Sequence, residues 1–458
     1  MNTHANLAPA ALAFPAHMPN SKLSNIRSRC TRRPPLPPSM AAYRPIRRTL
    51  PARITMSTPA SGGAEQAGIP NTDRFRVIDF HHVEFWCADA AYTAGRFSFG
   101  LGVPLAAESG LSTGNTAHAS RLLHSRSGSL ALLFSAPYAH HQGDAVTASV
   151  PSFDADAARR FTADHGLAVR AVAVRVPDAA EAFHRSVEAG ARPSFAPAEL
   201  GHGFELAEVQ LYGDAVLRFV SYPDDTAIPF LPGRFDHIVG NVPRLAPVAA
   251  YIAGFTGFHE FSSFTGDQVG TAESSLNVVV LADNSETVLL TVVEPVHGTK
   301  RRSQVETYLD HHGGSGVQHL AMASNDVLAT LREIRGRSTM GGFEILPPPP
   351  ASYYDDVRRR AGDVLSESQI QECQELGVRV DRDEHGGVVL QIFTKAAGDR
   401  PTLLLEFIQR IGCMEKDENG QEYQRGGCGG FGKGNVSELF KFIEDYEKSL
   451  DPPARLAS

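Results

Sequence analysis

An internal repeat limits the folds open to this chain more than any other feature of its 458 residues. Three pairs of segments resemble each other in the same order along the two halves: FHHV at 80–83 and FDHI at 235–238, GLAVRAVA at 166–173 and GVQHLA at 316–321, VLRFV at 216–220 and LLEFI at 404–408. A period this long is not that of a solenoid repeat. We therefore expect two copies of one domain.

Each copy is expected to mix strands with helices. In the second copy, Leu276–Ala282 and residues 287–293 are β-branched runs joined by a polar turn, which predicts a β-hairpin. Amphipathic helices are predicted at 178–189, 325–334, 353–361 and 366–376, the last with a capping-box pattern. These elements predict an α+β fold with curved, mixed sheets.

The two copies differ at three aligned positions. The first copy has His82, Ala171 and Arg218, whereas the second has His237, His319 and Glu406, one on each of three predicted strands. Two imidazoles and one carboxylate on one face of a metal form the facial triad of non-haem Fe(II) oxygenases and leave three coordination positions open. We therefore predict a metal site in the second copy and a structural scaffold in the first.

The alternative for each of these residues is a structural role. A lone histidine on a strand is usually a structural residue, and Glu406 could form a salt bridge across the sheet, as Arg218 could in the first copy. A carboxylate within an apolar strand is nevertheless costly unless it is paired or bound to metal. Other histidines are expected to lie outside the site: His311 and His312 in solvent, His140 and His141 in a loop, and His297 at a strand end.

The N-terminus has its own composition. Residues 1–58 hold nine bases, and the first acidic residue is Glu65; without these nine, 34 bases remain against 51 acids, a formal charge of −17. A basic, acid-free segment rich in Ser, Ala and Pro is typical of an organelle transit peptide. The alternative is a disordered arm that contacts nucleic acid, but the segment lacks interleaved aromatics and the body behind it is acidic.

The cysteines and the apolar runs exclude further classes. The five cysteines are scattered and form no CxxC pair, so that we expect no disulfide framework, no zinc knuckle and a reducing compartment. No run of 18 apolar residues predicts a membrane span. The glycine-rich run 427–434 lacks the Ser or Thr of a phosphate-binding loop and is interpreted as a hinge before a C-terminal helix that could gate the metal site.

Several longer strings are similar to those of 4-hydroxyphenylpyruvate dioxygenases of the plant and green-algal type: 80–86 (FHHVEFW), 254–258 (GFTGF), 294–300 (EPVHGTK), 364–366 (VLS), 390–395 (LQIFTK) and 426–435 (GGCGGFGKGN). The resemblance extends from about residue 73 to about residue 450. It implies two tandem vicinal-oxygen-chelate (glyoxalase-like) modules with a C-terminal gating helix. The expected division is a transit peptide and leader at 1–72, an N-terminal structural module at 73–222 and a catalytic module at 230–458.

The resemblance also implies the chemistry. His237, His319 and Glu406 would bind one Fe(II) per chain, and a small-molecule 2-oxo acid and O2 would react there to give homogentisate and CO2, in tyrosine catabolism and in the supply of plastoquinone and tocopherol precursors. Matching substrate-site residues are Gln304, Gln391, Phe393 and Phe431. Gln318 also matches, but strict strand alternation would point it away from the His319 face. A plastid location is expected, with mitochondrion or cytoplasm as alternatives. The protein is also expected to form a homodimer or larger homo-oligomer and to bind no nucleic acid.

Five positions depart from the family pattern. Val278 and Val293 stand where polar residues are usual, Leu404 and Val436 stand where aromatics are usual, and Thr291 replaces a proline. These changes leave alternatives open: lineage drift in which Gln304 alone contacts the ring hydroxyl, a paralogue acting on a less polar 2-oxo acid, and a paralogue forming 4-hydroxymandelate. A non-catalytic ligand-binding module is a separate alternative, against which the intact triad argues.

Overall fold

Two eight-stranded sheets form the framework of the protein. The computed structural model describes residues 71–125, 130–138, 148–201, 203–223, 235–271, 273–416 and 422–435. The predicted transit peptide, except its last two residues, and the predicted C-terminal gating helix beyond residue 435 lie outside these ranges.

The first sheet is built from the first half of the chain. Its strands are β1 (Asp79–Trp86), β2 (Leu105–Ser109), β3 (His118–His124), β4 (Ala131–Pro137), β5 (Ala168–Arg175), β6 (Pro193–Glu199), β7 (Glu205–Tyr212) and β8 (Ala215–Ser221). They lie in the order β2-β3-β4-β1-β5-β8-β7-β6. The β1–β4 and β5–β8 pairs are parallel and the other neighbours are antiparallel, so that the sheet is mixed.

The second sheet repeats this arrangement. Its strands are β9 (Phe235–Asn241), β10 (His259–Phe264), β11 (Leu276–Ala282), β12 (Leu289–Pro295), β13 (Gly316–Ala323), β14 (Arg379–Arg382), β15 (Val388–Phe393) and β16 (Leu404–Ile411). Their order, β10-β11-β12-β9-β13-β16-β15-β14, matches that of the first sheet strand for strand. A separate ribbon pairs β17 (Met414–Lys416) with β18 (Glu422–Gln424).

Helices connect the strands, and most begin at a side-chain cap. They are α1 (Ala90–Leu101), α2 (Ala155–His165), α3 (Ala179–Glu188), α4 (Leu245–Thr256), α5 (Gly266–Val269), α6 (Gln304–His312), α7 (Val327–Ser338), α8 (Ala351–Ala361) and α9 (Glu367–Leu376). The predicted capping box of α9 is confirmed, with Ser366 as N-cap and Gln369 at the third helical position. Such caps satisfy backbone donors that a helix start leaves unpaired.

The predicted hairpin joins β11 to β12. The Asp283 carboxylate accepts hydrogen bonds from the backbone N–H groups of Thr287 and Val288, at 2.9 and 2.7 Å, and Glu286 takes the positive φ of 54° that closes the turn. β12 begins at Leu289, two residues later than predicted, because the backbone of residues 287 and 288 belongs to the turn. The hairpin forms one wall of the site described below.

The hydrophobic core extends through both halves of the described chain. Phe80 on β1 and Phe235 on β9 are buried and pack edge to face, with ring centroids 5.9 Å apart. Burial of such side chains stabilises a fold by roughly 1.5–3 kcal/mol each. The predicted α+β class is confirmed. Among the described residues, no helix is long and apolar enough to cross a membrane.

Candidate metal centre

Three adjacent central strands of the second sheet bring His237, His319 and Glu406 together. In the register of β9, β13 and β16, His237 lies beside Ala321, and Ala321 lies beside Glu406. The small Ala321 side chain leaves space between those of His237 and Glu406. His319 lies two residues before Ala321 on β13, so that its side chain points to the same face of the sheet. One ligand atom of each of the three residues lies within 4.8 Å of the others, so that the group could hold a metal ion.

Glu406 is the most deeply buried of the three. Its Oε1 accepts a hydrogen bond of 2.8 Å from Gln391 Nε2, whereas its Oε2 is buried without a hydrogen-bond partner among the described residues. Oε2 lies 3.2 Å from His237 Nε2 and 3.3 Å from His319 Nε2. Burial would raise the pKa of Glu406, but the two imidazoles lower it to about 2. A buried carboxylate oxygen that accepts no hydrogen bond is costly, and a cation between these atoms would reduce that cost.

His237 is oriented from behind. Its Nδ1 lies 2.8 Å from Asp236 Oδ1, and both oxygens of Asp236 accept hydrogen bonds of 2.7 Å from the Arg410 guanidinium. Burial would lower the pKa of His237, but the carboxylates of Glu406 and Asp236 raise it to about 9. The contact at Nδ1 leaves Nε2 directed at the site, which is the arrangement that metal-binding histidines use.

His319 is oriented by its chain neighbour. Its Nδ1 makes a close hydrogen bond with Gln318 Oε1, and its Nε2 faces Glu406. Burial lowers the pKa of His319, which favours the neutral imidazole that binds metal. The expectation that Gln318 points away from this face was wrong. The pairing of β13 with β9 shifts between Val317 and His319, and this β-bulge places Gln318 in the lining of the cavity.

The predicted substrate-site residues surround the same cavity. Gln304 lies in the first turn of α6, Gln391 and Phe393 lie on β15, and Phe431 lies in the glycine-rich run. The Phe431 ring is 5.0 Å from the His237 ring, and the Phe393 ring is 5.5 Å from the His319 ring, measured between centroids. The structure therefore brings all four together with the three possible ligands.

Comparison with known proteins gives the family. A family model described as hydroxyphenylpyruvate dioxygenase, N-terminal, matches residues 139–229. The 4-hydroxyphenylpyruvate dioxygenase of Hordeum vulgare is 68% identical over 425 residues, which cover 87% of this chain and 97% of that protein. The protein of the same name from Arabidopsis thaliana is 56% identical over 406 residues, covering 83% and 91%.

The chain belongs to the 4-hydroxyphenylpyruvate dioxygenase family.

Solved structures show the same fold as this member of the 4-hydroxyphenylpyruvate dioxygenase family. A triple mutant of 4-hydroxymandelate synthase from Streptomyces coelicolor superposes with a TM-score of 0.64 at 25% identity, covering 81% of this chain and 99% of that chain. A fusion of a xylose isomerase-like TIM barrel with a 4-hydroxyphenylpyruvate dioxygenase superposes with a TM-score of 0.57 at 18% identity, covering 84% of this chain and 55% of that one, and shows the fold alone. The predicted pair of glyoxalase-like sheets is confirmed.

In this member of the 4-hydroxyphenylpyruvate dioxygenase family, the first sheet has a cluster of charged groups at the position where the second sheet has the possible metal ligands. Arg218 is buried and donates to Glu84 and, at 2.8 Å, to Glu208, while its Nη1 lies 2.9 Å from His82 Nε2. The two carboxylates raise the pKa of Arg218 above its usual range, against the effect of burial. The ion pair that we considered for Arg218 is confirmed, and a guanidinium stands where the second sheet has Glu406.

Four of the five positions that depart from the 4-hydroxyphenylpyruvate dioxygenase pattern line the cavity. Val278 and Val293 are direct cross-strand neighbours on β11 and β12, Thr291 lies two residues before Val293, and Leu404 lies two residues before Glu406. Val436 lies outside the described residues. The wall formed by β11 and β12 is therefore largely aliphatic.

The sequence did not single out Asn435 as a site residue. Its Nδ2 donates to Gln391 Oε1 at 3.0 Å, and its Oδ1 accepts a hydrogen bond of 2.6 Å from the Tyr353 hydroxyl. Asn435 therefore connects Gln391, which binds Glu406, to helix α8. The signal that could have identified it is its position at the end of the glycine-rich string that resembles the 4-hydroxyphenylpyruvate dioxygenases.

Two further expectations from the sequence were wrong. Cys413 and Cys428 form a disulfide, because the turn after β16 and the glycine-rich run meet in space although they are 15 residues apart. His312 is buried rather than solvated, since its ring stacks on that of His165 at 4.3 Å. His297 is exposed at the end of β12 beside Glu306, and His140 and His141 lie outside the described residues.

Proposed function

We propose that this chain is an Fe(II)-dependent dioxygenase that converts 4-hydroxyphenylpyruvate and O2 to homogentisate and CO2. The observation that carries the proposal is the cluster of His237, His319 and Glu406 in a cavity of a chain that is 68% identical to a 4-hydroxyphenylpyruvate dioxygenase. One carbon leaves as CO2, and both oxygen atoms of O2 are incorporated in the products. The substrate supplies its own 2-oxo acid, so that no second oxo acid is required.

The residues divide the work as follows. His237, His319 and Glu406 would hold one Fe(II), which supplies coordination positions for the 2-oxo acid and O2 and the electrons that activate O2. Gln391 holds Glu406 in place through its 2.8 Å hydrogen bond. Phe393 and Phe431 flank the two histidines and shield the reacting ring from water, and Gln304 offers a polar contact at the cavity wall.

Oxygen uptake tests the proposal. We expect the full-length chain, loaded anaerobically with Fe(II), to consume one O2 for each homogentisate formed from 4-hydroxyphenylpyruvate, with products identified by mass spectrometry. Glu406→Gln should lower kcat at least about 100-fold, because it removes the carboxylate ligand.

An exposed carboxylate provides the matched control. Glu333→Gln, on the exposed side of α7, should leave the rate unchanged. The proposal fails if the wild-type chain binds Fe(II) but consumes no O2 with 4-hydroxyphenylpyruvate. Formation of 4-hydroxymandelate instead would keep the dioxygenase chemistry and reject the product, and a chain that binds no Fe(II) would be a ligand-binding module.

A second candidate substrate is a 2-oxo acid with a less polar side chain. It is favoured by the aliphatic side chains of Val278 and Val293 in the wall of β11 and β12, and by Leu404 on β16, all of which line the cavity. Equal kcat/KM values for 4-hydroxyphenylpyruvate and phenylpyruvate would support it.

Targeting and assembly complete the proposal. We infer that residues 1–72 form a plastid transit peptide and leader, that residues 73–222 serve as a structural module and that residues 230–458 carry catalysis. Imported protein lacking the leader, detected in isolated plastids but not in mitochondria, would support the location. Light scattering would test the expected homodimer or larger homo-oligomer.

A further inference from the structure

Thr291 holds a distinctive place in the wall of the cavity. It is the third residue of β12 and lies between Val280 on β11 and Val239 on β9 in the sheet register. His237 and Leu289 are paired in the same register, and Thr291 lies two residues beyond Leu289, on the same face. Its side chain therefore faces the cavity, two residues further along the sheet than the level of His237.

The hydroxyl of Thr291 makes no hydrogen bond within the part of the chain that the structure describes. The residue is only 4% exposed, and its Oγ1 is buried without a hydrogen bond among the described residues. Buried hydroxyls are normally paired, since an unpaired one loses its water without compensation. A rotation of Thr291 about χ1 from one staggered rotamer to another exchanges the positions of the methyl group and the hydroxyl.

The surroundings of Thr291 make this hydroxyl unusual. The cavity-lining residues of β11 and β12 are Leu276, Val278, Thr291 and Val293, and of these Thr291 alone carries a hydrogen-bonding group. Asn277 belongs to the opposite face of β11, where its Nδ2 donates to Glu294 at 2.8 Å. A polar atom of a bound molecule on this wall would therefore meet Thr291.

The distance between Thr291 and the possible metal ligands indicates which end of the substrate would lie beside Thr291. A rise of about 3.4 Å per residue and a strand spacing of about 4.8 Å place the Cα atoms of His237 and Thr291 about 8 Å apart. The 2-oxo acid end would be held at His237, His319 and Glu406. A methylene and a benzene ring separate that end from the ring hydroxyl, which is a span of the same order.

We propose that the Thr291 hydroxyl is the hydrogen-bonding partner of the ring hydroxyl of the substrate and thereby determines the preference for a hydroxylated aryl 2-oxo acid. This inference rests on the proposed function. Within a wall that is otherwise aliphatic, one hydroxyl at the right depth suffices to distinguish a phenol from a benzene ring, because a ring without the hydroxyl leaves Thr291 unpaired.

The test compares two substrates in three proteins. For the full-length Fe(II)-loaded chain, kcat/KM is measured with 4-hydroxyphenylpyruvate and with phenylpyruvate, and under nitrogen the Kd of each compound is measured by calorimetry. We expect the wild-type chain to prefer the hydroxylated compound. The preference is expressed as two ratios between 4-hydroxyphenylpyruvate and phenylpyruvate, one of their kcat/KM values and one of their affinities. Thr291→Val, which keeps the shape of the side chain, should lower both ratios about 3- to 10-fold. Thr291→Ser, which keeps the hydroxyl, should retain them within about twofold.

Controls keep the outcome interpretable. Thr287→Val makes the same chemical change at an exposed position just before β12 and should leave both ratios unchanged. Thermal unfolding and Fe(II) stoichiometry establish that each variant is folded. Ratios that stay the same in Thr291→Val, or that fall in Gln304→Met instead, would overturn the assignment. A wild-type chain that makes no homogentisate would contradict the proposed function rather than the role of Thr291.

Discussion

Single residues around the predicted ligands determine how they present their atoms. Arg410 donates two hydrogen bonds to Asp236 and two more to the backbone oxygens of Cys428 and Gly430, the latter at 2.7 Å. It therefore holds the carboxylate that orients His237 and, at the same time, the loop that carries Phe431. Burial would raise the pKa of Asp236, but the Arg410 guanidinium holds it below its usual range, so that the carboxylate remains charged.

Replacement of Arg410 should weaken metal binding without removing a ligand. We expect Arg410→Met to lower the affinity for Fe(II) about 10- to 100-fold, since outer contacts of this kind orient the ligating imidazole. Arg410→Lys should recover part of the loss because it keeps the charge but not the two parallel hydrogen bonds. Anaerobic titration with Fe(II) measures the affinity. Arg359→Met, at an exposed position on α8, is the control, and an unchanged affinity in Arg410→Met would contradict the prediction.

At the scale of elements, the glycine-rich run (residues 427–434) connects the site to the edge of the second sheet, since the backbone N–H of Gly434 donates to Asp381 on β14 at 2.7 Å. Gly432 has a φ of 64°, and a side chain there would overlap Gln391, which binds Glu406. The disulfide between Cys413 and Cys428 fastens this loop to the turn after β16. The loop that was interpreted as a hinge is therefore held at its beginning, and Phe431 follows three residues later.

Reduction of this disulfide should destabilise the loop. A cross-link that closes a loop of about 15 residues contributes about 3 kcal/mol in the chain-entropy description. We expect dithiothreitol to lower the Tm of the wild-type chain and to raise the KM for the substrate. A Cys413→Ser, Cys428→Ser double variant should show the lower Tm from the start and no further response. A wild-type Tm that does not respond to dithiothreitol would contradict the prediction.

The sequence predicted those elements whose pattern is local or repeated. The strand Leu276–Ala282, the capped helix α9 and the cluster of His237, His319 and Glu406 could be found because alternation, capping and the alignment of the two halves each leave a mark in the sequence. Gln318 was missed because a β-bulge breaks the alternation that we assumed. The pairing of Cys413 with Cys428 was missed because only the folded chain brings those two turns together.

At the scale of the whole molecule, the two sheets share one strand order but stabilise their buried charged groups in different ways. The second sheet places a carboxylate between two imidazoles, whereas the first sheet places Arg218 between Glu84 and Glu208. In the first sheet the Arg218 guanidinium stabilises both buried carboxylates, because it donates a hydrogen bond to each of them. Burial lowers the pKa values of the nearby His81 and His118, so that both imidazoles are neutral.

These neutral histidines make the stability of the whole fold depend on pH. Burial lowers the pKa of His81 from 6.5 to about 3 and those of His118 and His312 from 6.5 to about 4. Below pH 6.5 these histidines bind protons in the unfolded chain but stay neutral in the folded chain. The free energy of unfolding therefore falls as the pH decreases toward 4. Asp73, Glu286 and Asp381 act in the opposite direction, since burial raises their pKa values, that of Asp73 from 3.8 to about 6. His82 adds to the effect of the three histidines, since burial lowers its pKa as well.

We therefore expect the Tm of the full-length chain to be lower at pH 5 than at pH 7.5, with each such histidine contributing up to about 2 kcal/mol over this range. His118 offers the sharpest variant: its ring stacks on Phe153 at 4.0 Å and its Nδ1 is buried without a hydrogen-bond partner among the described residues. His118→Gln removes the titrating group and should reduce the difference in Tm between the two pH values, whereas His297→Gln, at an exposed position, should leave it unchanged. A Tm that is equal or higher at pH 5 would mean that these histidines titrate in the folded chain as they do in the unfolded one.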